Sequence, residues 1–498
     1  MNSDLPQLPK IQIKQDTSLP DEAGIKDFEA VIWIMDEDEN GNGIQTLPTA
    51  LQPAATRVGA RLDAHPGNKN PVFMSLDGVR LGVLRLKADS SGFQSLKLAR
   101  DVITGLLEDR PASIAVLSLS KQAASQEQMA EAIVAALHAA LFSLPRIGKA
   151  GDPPPATHTL SFFGLSTAPD FSRAEATAEG NNLARWLTHM PPSHLNPERY
   201  RVLAIELATR EGWTSQFLDR KTLKKLGAGA FLSVVEGSPR EDAGILKLEY
   251  RPDGAKGKPF ALVGKGICFD TGGTNLKNAA GMLGMHGDMQ GSAVALGTLL
   301  ALSRLGFPFP VDCWLALAEN HIGPAAAKCN DVVTAVNGTT IEIINTDAEG
   351  RMVLADTLAL ASREEPRAIL DYATLTGSCV AALGDRMSGA ISNRPDWTTA
   401  IIEAGERSGE RVWPLPYAED YDQDLESQVA DTLQCRAPGE ADHLYAARFL
   451  GRFVDPSIAW VHVDLSSGER KGGLAHIPTD VIGFGVRFGV EWMHSISE

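Results

Sequence analysis

Four apolar runs in the second half of the chain constrain the fold most, because each ends in a polar or glycine-rich word. Phe260-Ala261-Leu262-Val263 feeds Gly264-Lys265-Gly266, and Val311 to Ala318 leads to Glu319-Asn320. Arg367 to Ala373 leads to Thr374-Leu375-Thr376-Gly377, and a late run spans Ile458 to Asp464. Runs without polar alternation are strands covered on both faces, as in parallel sheets with helical crossovers. Gly291 to Leu305 has the spacing of one such helix. The expectation is a doubly wound sheet, with the polar words at the carboxyl ends of strands, where open α/β sheets place their sites.

A chain of 498 residues is long enough for two or more cored domains. Residues 1–25 are polar and read as an extended arm. Ala30 to Met35 is a buried strand that ends in the acidic turn Asp36 to Gly41, read as a solvated loop because no EF-hand spacing follows. Two strand patterns, Pro71–Leu76 and Val79–Leu86, flank Asp77-Gly78, a hairpin signal. A helix over 94–107, a strand over 113–119, a helix over 126–142 and a last strand near 160–164 follow, with a break at Gly151 to Pro155. Ser172 to Met190 reads as a long helix halted by Pro191-Pro192. The expected class is α/β: a small noncatalytic N-terminal α/β domain (1–165) and a connecting helix (166–192). A larger catalytic domain (193–498) follows, with a mixed, mostly parallel central sheet flanked by helices.

Hydrophobic residues at 44% and charged residues at 22% fit a globular protein. The net charge of −16 lies mostly beyond residue 150, and neither half has a basic run, which argues against nucleic-acid binding. The five cysteines, Cys268, Cys313, Cys329, Cys379 and Cys435, are scattered and form no C-x-x-C pair, so reduced thiols are expected. No apolar run reaches the ~18–20 residues of a membrane helix, and no secretory signal opens the chain, so a cytoplasmic location is expected.

The chemistry concentrates in two stretches. One is Gly264-Lys265-Gly266-Ile267-Cys268-Phe269-Asp270-Thr271-Gly272-Gly273 with Lys277 and Asp288; the other is Asn345-Thr346-Asp347-Ala348-Glu349-Gly350-Arg351. Four carboxylates brought together stay ionised only beside cations. Hard oxygen ligands suit divalent metals, and a metal pair can clamp both ends of a hydrolysis. Lys265 is the odd member, since an ammonium binds no metal. It must be neutral or merely adjacent. Gly272, Gly273 and Gly350 are expected to allow tight turns.

These two words, with Met352-Val353-Leu354-Ala355-Asp356 after the second, resemble the signatures of the leucyl (cytosol) aminopeptidase family. The intervals agree as well: five residues from Lys265 to Asp270, seven to Lys277, eleven to Asp288 and fifty-nine to Asp347. The resemblance implies a metal-dependent aminopeptidase acting on peptides, with two divalent ions (zinc or manganese). Lys265, Asp270, Asp288 and Glu349 would hold one ion; Asp270, Asp347 and Glu349 would hold the other. Lys277 would stabilise the oxyanion, and Arg351 would seat a bicarbonate that shuttles the proton. Met285, Thr374, Leu375 and Gly377 would line the substrate site, favouring Leu- or Met-type apolar N-terminal residues. A homohexamer is implied too.

The chain departs from the family pattern at Thr274-Asn275-Leu276 and at His286. It departs most after Asp464, at Leu465-Ser466-Ser467-Gly468-Glu469-Arg470-Lys471-Gly472-Gly473 within a divergent segment 465–490, which leaves the substrate range open. His194 and His286 read as bystanders. Two other readings compete: a two-metal phosphoesterase, and a noncatalytic DNA-binding or regulatory protein that retains the fold.

Overall fold

The computed structural model describes residues 5–6, 8–37, 51–63, 70–87, 89–120, 122–148, 158–437 and 439–497. Internal contacts group the chain into two units. The smaller is Gln7–Ala178 with Gly472–Thr479; the larger is Glu179–Lys471 with Asp480–Glu498 and Met1–Pro6.

The smaller unit has six strands: β1 (Ile11–Asp16), β2 (Ala30–Asp36), β3 (Val72–Leu76), β4 (Val79–Leu86), β5 (Ser113–Ser118) and β6 (His158–Phe163). They lie in the order β1-β6-β5-β2-β4-β3. Every neighbouring pair is parallel except the β3–β4 hairpin. Asp77 and Gly78 turn that hairpin with φ of 50° and 93°, as a two-residue turn between twisted strands requires. The central β2 divides its side chains between two cores. Ile32 and Ile34 pack with the helices Gly92–Leu107 and Ala123–Leu141, while Val31, Trp33 and Met35 pack with the helix Gln52–Asp63. Each fully buried Leu, Ile or Phe there contributes about 1.5–3 kcal/mol.

β1 corrects the expected polar arm. Only Ile11 and Ile13 of its six residues touch the core, too few for an apolar pattern, and its order comes from pairing with β6. Residues 38–41 of the acidic turn and the break at 151–155 lie outside the described residues. Ala475, near the other end of the chain, also belongs to this unit's core, and Arg100 Nη1 donates to Ile477 O (3.2 Å).

The larger unit contains β7 (Thr214–Asp219), β8 (Gly244–Tyr250), β9 (Phe260–Asp270), β10 (Val311–Asn320), β11 (Val332–Thr334), β12 (Thr340–Glu342), β13 (Ala368–Ala373), β14 (Ser388–Ser392), β15 (Val412–Pro414), β16 (Thr432–Leu433) and β17 (Ala459–Asp464). Eight of them form one sheet, in the order β15-β14-β17-β13-β9-β10-β8-β7; β11, β12 and β16 form a small second one. β9 lies between β13 and β10, parallel to both. Antiparallel pairing enters toward the edges, at β17–β14 and β10–β8–β7. The sheet is mixed and mostly parallel.

β9 runs through Gly264-Lys265-Gly266, which had been expected to leave the strand. Here the glycines serve close approach instead of a turn. A Cβ on Gly264 would lie 2.4 Å from Ser292 Cα, so the helix Gln290–Arg304 rests directly on the strand. Alternate residues face the other way: Ala261 and Val263 share a core with Met352 and Val353 of the helix Glu349–Arg363. Helices thus cover both faces of the sheet. All five cysteines are unpaired, and only Cys329 is exposed. Among the described residues, no helix is long and apolar enough to cross a membrane.

Candidate active site

Asp270 is the last residue of β9. A register shift in β10 sets Asn320 opposite it, and bulges of this kind re-aim side chains beside sites. Asn320 Nδ2 donates to Asp270 Oδ1 (2.8 Å) and to Thr346 O (3.0 Å); Gly272 N donates to the same Asp270 oxygen (2.8 Å). Gly272 and Gly273 have φ of 86° and 65°. A Cβ on Gly272 would meet Asp347 Oδ1 at 2.7 Å, so the turn needs glycine for its conformation and its space. Thr346 Oγ1 donates to Gly272 O (2.7 Å) and accepts from Asn275 N (2.8 Å), which stitches the two motif loops together.

Oxygens of Asp270, Asp347 and Glu349 lie within 4.8 Å of one another. Two ammonium groups are set among the acids. Lys277 Nζ meets Asp270 (2.9 Å) and Asp347 (2.6 Å), and Lys265 Nζ meets Asp288 (2.9 Å) and Glu349 (3.0 Å). Lys265 also donates to Thr374 O (2.9 Å). Burial alone would lower Lys265, but Asp288, then Glu349 and Asp270, outweigh it and hold it above its ordinary value. Burial against Asp270 and Asp347 ends the same way for Lys277. With these protein groups around it, Lys265 is an ammonium. Burial raises the carboxyls of Glu349 and Asp288, with Lys265 opposing; burial raises Asp347 too, with Lys277 opposing.

Gly350 is helical, not a turn residue as expected. A Cβ there would lie 2.7 Å from Lys265 Nζ, so its bareness makes the lysine's seat. Buried Asp288 Oδ2 and Glu349 Oε2 accept no hydrogen bond among the described residues. Oxygen-only donors, close-set and partly unsatisfied, fit a hard divalent cation.

A cavity of about 450 Å³ opens on these acids. The structure brings Lys265, Asp270, Lys277, Met285, Asp288, Asp347, Glu349, Thr374, Leu375 and Gly377 to its wall. Thr374 has a second role, since its Oγ1 donates to Asp288 Oδ1 (2.8 Å). Arg351 does not line the cavity. It is fully buried, with Nη2 donating to Asp442 Oδ2 (2.6 Å) and Nη1 to Gln434 O (3.3 Å). His194 is exposed against Ser193 Oγ, and His286 is half-buried.

The family model of the cytosol aminopeptidase catalytic domain matches residues 182–490, more than half of the chain. The chain belongs to the cytosol aminopeptidase family. It is therefore an aminopeptidase, a hydrolase of peptides that depends on a divalent metal. A probable cytosol aminopeptidase of Parasynechococcus marenigrum is 38% identical over 426 residues, covering 84% of this chain and 83% of the relative. One from Stutzerimonas stutzeri is 44% identical over 307 residues, 60% of this chain and 61% of the relative. Among solved structures, a mutant tomato leucine aminopeptidase superposes with a TM-score of 0.85 at 28% identity, covering 98% of each chain. The bottromycin maturation enzyme BotP, solved in complex with Mn, gives 0.79 at 29% identity over 94% of this chain and 100% of that one.

Sequence reasoning about this aminopeptidase missed two residues that organise the site. Asn320 was read only as a strand end. Asp464 accepts from Leu375 N (3.2 Å), Thr376 N (3.3 Å) and Thr376 Oγ1 (2.6 Å), and so fixes the 374–377 loop. The one signal for both was position: each closes an apolar run at the end where this sheet carries its site.

Proposed function

We propose that the protein releases the N-terminal residue of peptides with a pair of divalent ions, zinc or manganese, held by Asp270, Asp288, Asp347 and Glu349, and by Lys265 only in its deprotonated form. The observation that carries this is the close-set trio Asp270, Asp347 and Glu349, with the buried, unsatisfied Glu349 Oε2 beside it. When bound, such ions supply Lewis acidity and a water acidified by coordination.

The chain's own groups do the rest. Lys277, ammonium-charged and only partly buried, faces the cavity where an oxyanion would develop, a role suited to a point charge. Asp464 holds the backbone of Leu375 in place to position the substrate. Met285, Leu375 and Leu465 offer an apolar wall for a Leu- or Met-type side chain. The bicarbonate assigned to Arg351 has less support, because Asp442 and Gln434 O already engage the guanidinium and Nε is the nitrogen left over. The phosphoesterase reading loses its phosphate cradle, because Gly264 to Gly266 lie within a paired strand.

A noncatalytic 1–165, a connector over 166–192, a catalytic 193–498, a homohexamer and a cytoplasmic location complete the reading by resemblance. Sedimentation at micromolar concentration tests the hexamer, and a monomer there refutes it. For the activity, chelated protein is reloaded with zinc or manganese and assayed on leucyl-p-nitroanilide and dipeptides beside Glu349→Ala. Metal-dependent release that the variant lacks is expected. No release from any amide by the reloaded enzyme would overturn the reading.

A further inference from the structure

The cavity wall also carries two acids that play no part in holding the site together, Asp385 and Glu469. Asp385 is matched: its Oδ1 meets Arg470 Nη1 at 2.5 Å. Glu469 is not. Among the described residues no hydrogen bond or ion pair engages its carboxylate, although Oε1 is lodged 3.1 Å from where a Cβ on Gly287 would stand. Gly287 sits between Met285, on the cavity wall, and Asp288, in the acid cluster, so this carboxylate borders the cavity close to that cluster.

The surrounding charges do not neutralise it. Asp480 adds a like charge, and His189 opposes it. Glu469 is solvent-exposed, and partial desolvation first and Asp480 second still raise its carboxyl above the ordinary range. A cation arriving from the cavity would relieve both effects. The aliphatic stem of a long basic side chain would have Met285, Leu375 and Leu465 to lie against, as lysine and arginine stems do on apolar surface.

We infer that Glu469 is a specificity-determining residue that selects peptides whose N-terminal side chain is long and cationic, lysine or arginine, over apolar side chains of equal length. The inference rests on the aminopeptidase reading and replaces its Leu- or Met-type preference with a basic one. It also bears on the divergent segment 465–490, whose Ser466, Gly468 and Glu469 face the same cavity.

Lysyl- and norleucyl-p-nitroanilide test it, because norleucine keeps the lysine stem and lacks the ammonium. In the metal-loaded wild-type enzyme, kcat/KM is expected to favour the lysyl substrate by about tenfold, the scale of one charge-assisted hydrogen bond. Glu469→Gln should bring the ratio to near one, with a thermal melt unchanged from wild type reporting that the variant folds. Glu469→Lys should push the ratio below one. A wild type that cleaves lysyl no better than norleucyl overturns the inference, as does a ratio unchanged in both variants. Failure on every amide sinks the aminopeptidase reading itself, a separate and recognisable outcome.

Discussion

Glu349 and Glu410 are both buried glutamates of the larger unit, and burial holds both above the ordinary carboxylate range, Glu410 to about 7. Their partners differ. Glu410 Oε2 accepts from Gly485 N (2.9 Å) and Phe488 N (2.9 Å), at the start of the helix Val486–Ser495, where amides have no partner within the helix. Glu349 shares the Lys265 ammonium with Asp288, and its Oε2 accepts nothing among the described residues. A buried carboxylate completed by main-chain donors is a structural part. One left half-completed beside other acids marks where a charge from outside belongs.

The largest test of this contrast replaces each glutamate by glutamine. Glu349→Gln is expected to lower kcat/KM on leucyl-p-nitroanilide by about a thousandfold or more, on the scale of losing one preorganised charge contact. Equilibrium dialysis should show weakened metal uptake as well. Glu410→Gln should leave both within about twofold; a comparable loss there would break the contrast.

Lys265→Met sharpens it from the other side. In chelator at pH 8 the variant leaves two buried acids without their cation, and denaturant titration should show about 3 kcal/mol of lost stability. The deficit should shrink toward pH 5, because carboxyls raised in the folded state take up protons there. An unchanged midpoint would mean that Lys265 carries no charge in the free enzyme.

Lys277→Ala should separate chemistry from stability. Its side chain is 16% exposed against 4% for Lys265, so the fold should lose only about 1 kcal/mol while kcat falls about a hundredfold. Equal stability losses at the two lysines would erase the distinction drawn here.

The last effect is a slope. Glu410 titrates near 7 when folded and near 4.5 in its ordinary state, so between those values the folded protein holds a proton that the unfolded chain has released. Stability from this group is therefore greatest below pH 4.5 and falls as pH rises through 7. Glu410→Gln should flatten the stability profile over that window and make the variant the more stable form above it. A profile parallel to wild type would mean that the carboxyl is not raised.

How far these features could be read beforehand depended on whether one residue or a pattern carried them. The β2, β10 and β13 strands were legible as apolar runs, the β3–β4 turn as Asp77-Gly78, and the clustered acids as a spaced set. β1 was not legible, because its order comes from a partner some 150 residues away and not from its own pattern. Gly264, Gly266 and Gly350 misled for a related reason. A glycine that admits a neighbour and one that turns the chain are spelled alike, and only the Ser292 backbone, the Ala316 carbonyl and the Lys265 side chain tell them apart. Glu410, Asn320 and Asp464 are single acids or amides among many, distinguished only by what folds against them.

The eight residues Gly472–Thr479 have a consequence for the order in which the protein is made. The chain leaves the smaller unit after Ala178 and returns to it only for this short passage. A ribosome therefore releases nearly the whole of that unit long before Ala475 and the Ile477 carbonyl exist to finish it. Amino-terminal domains ordinarily fold first during synthesis. This one gains Ala475 and the Ile477 carbonyl only after residues 179–471 have been made.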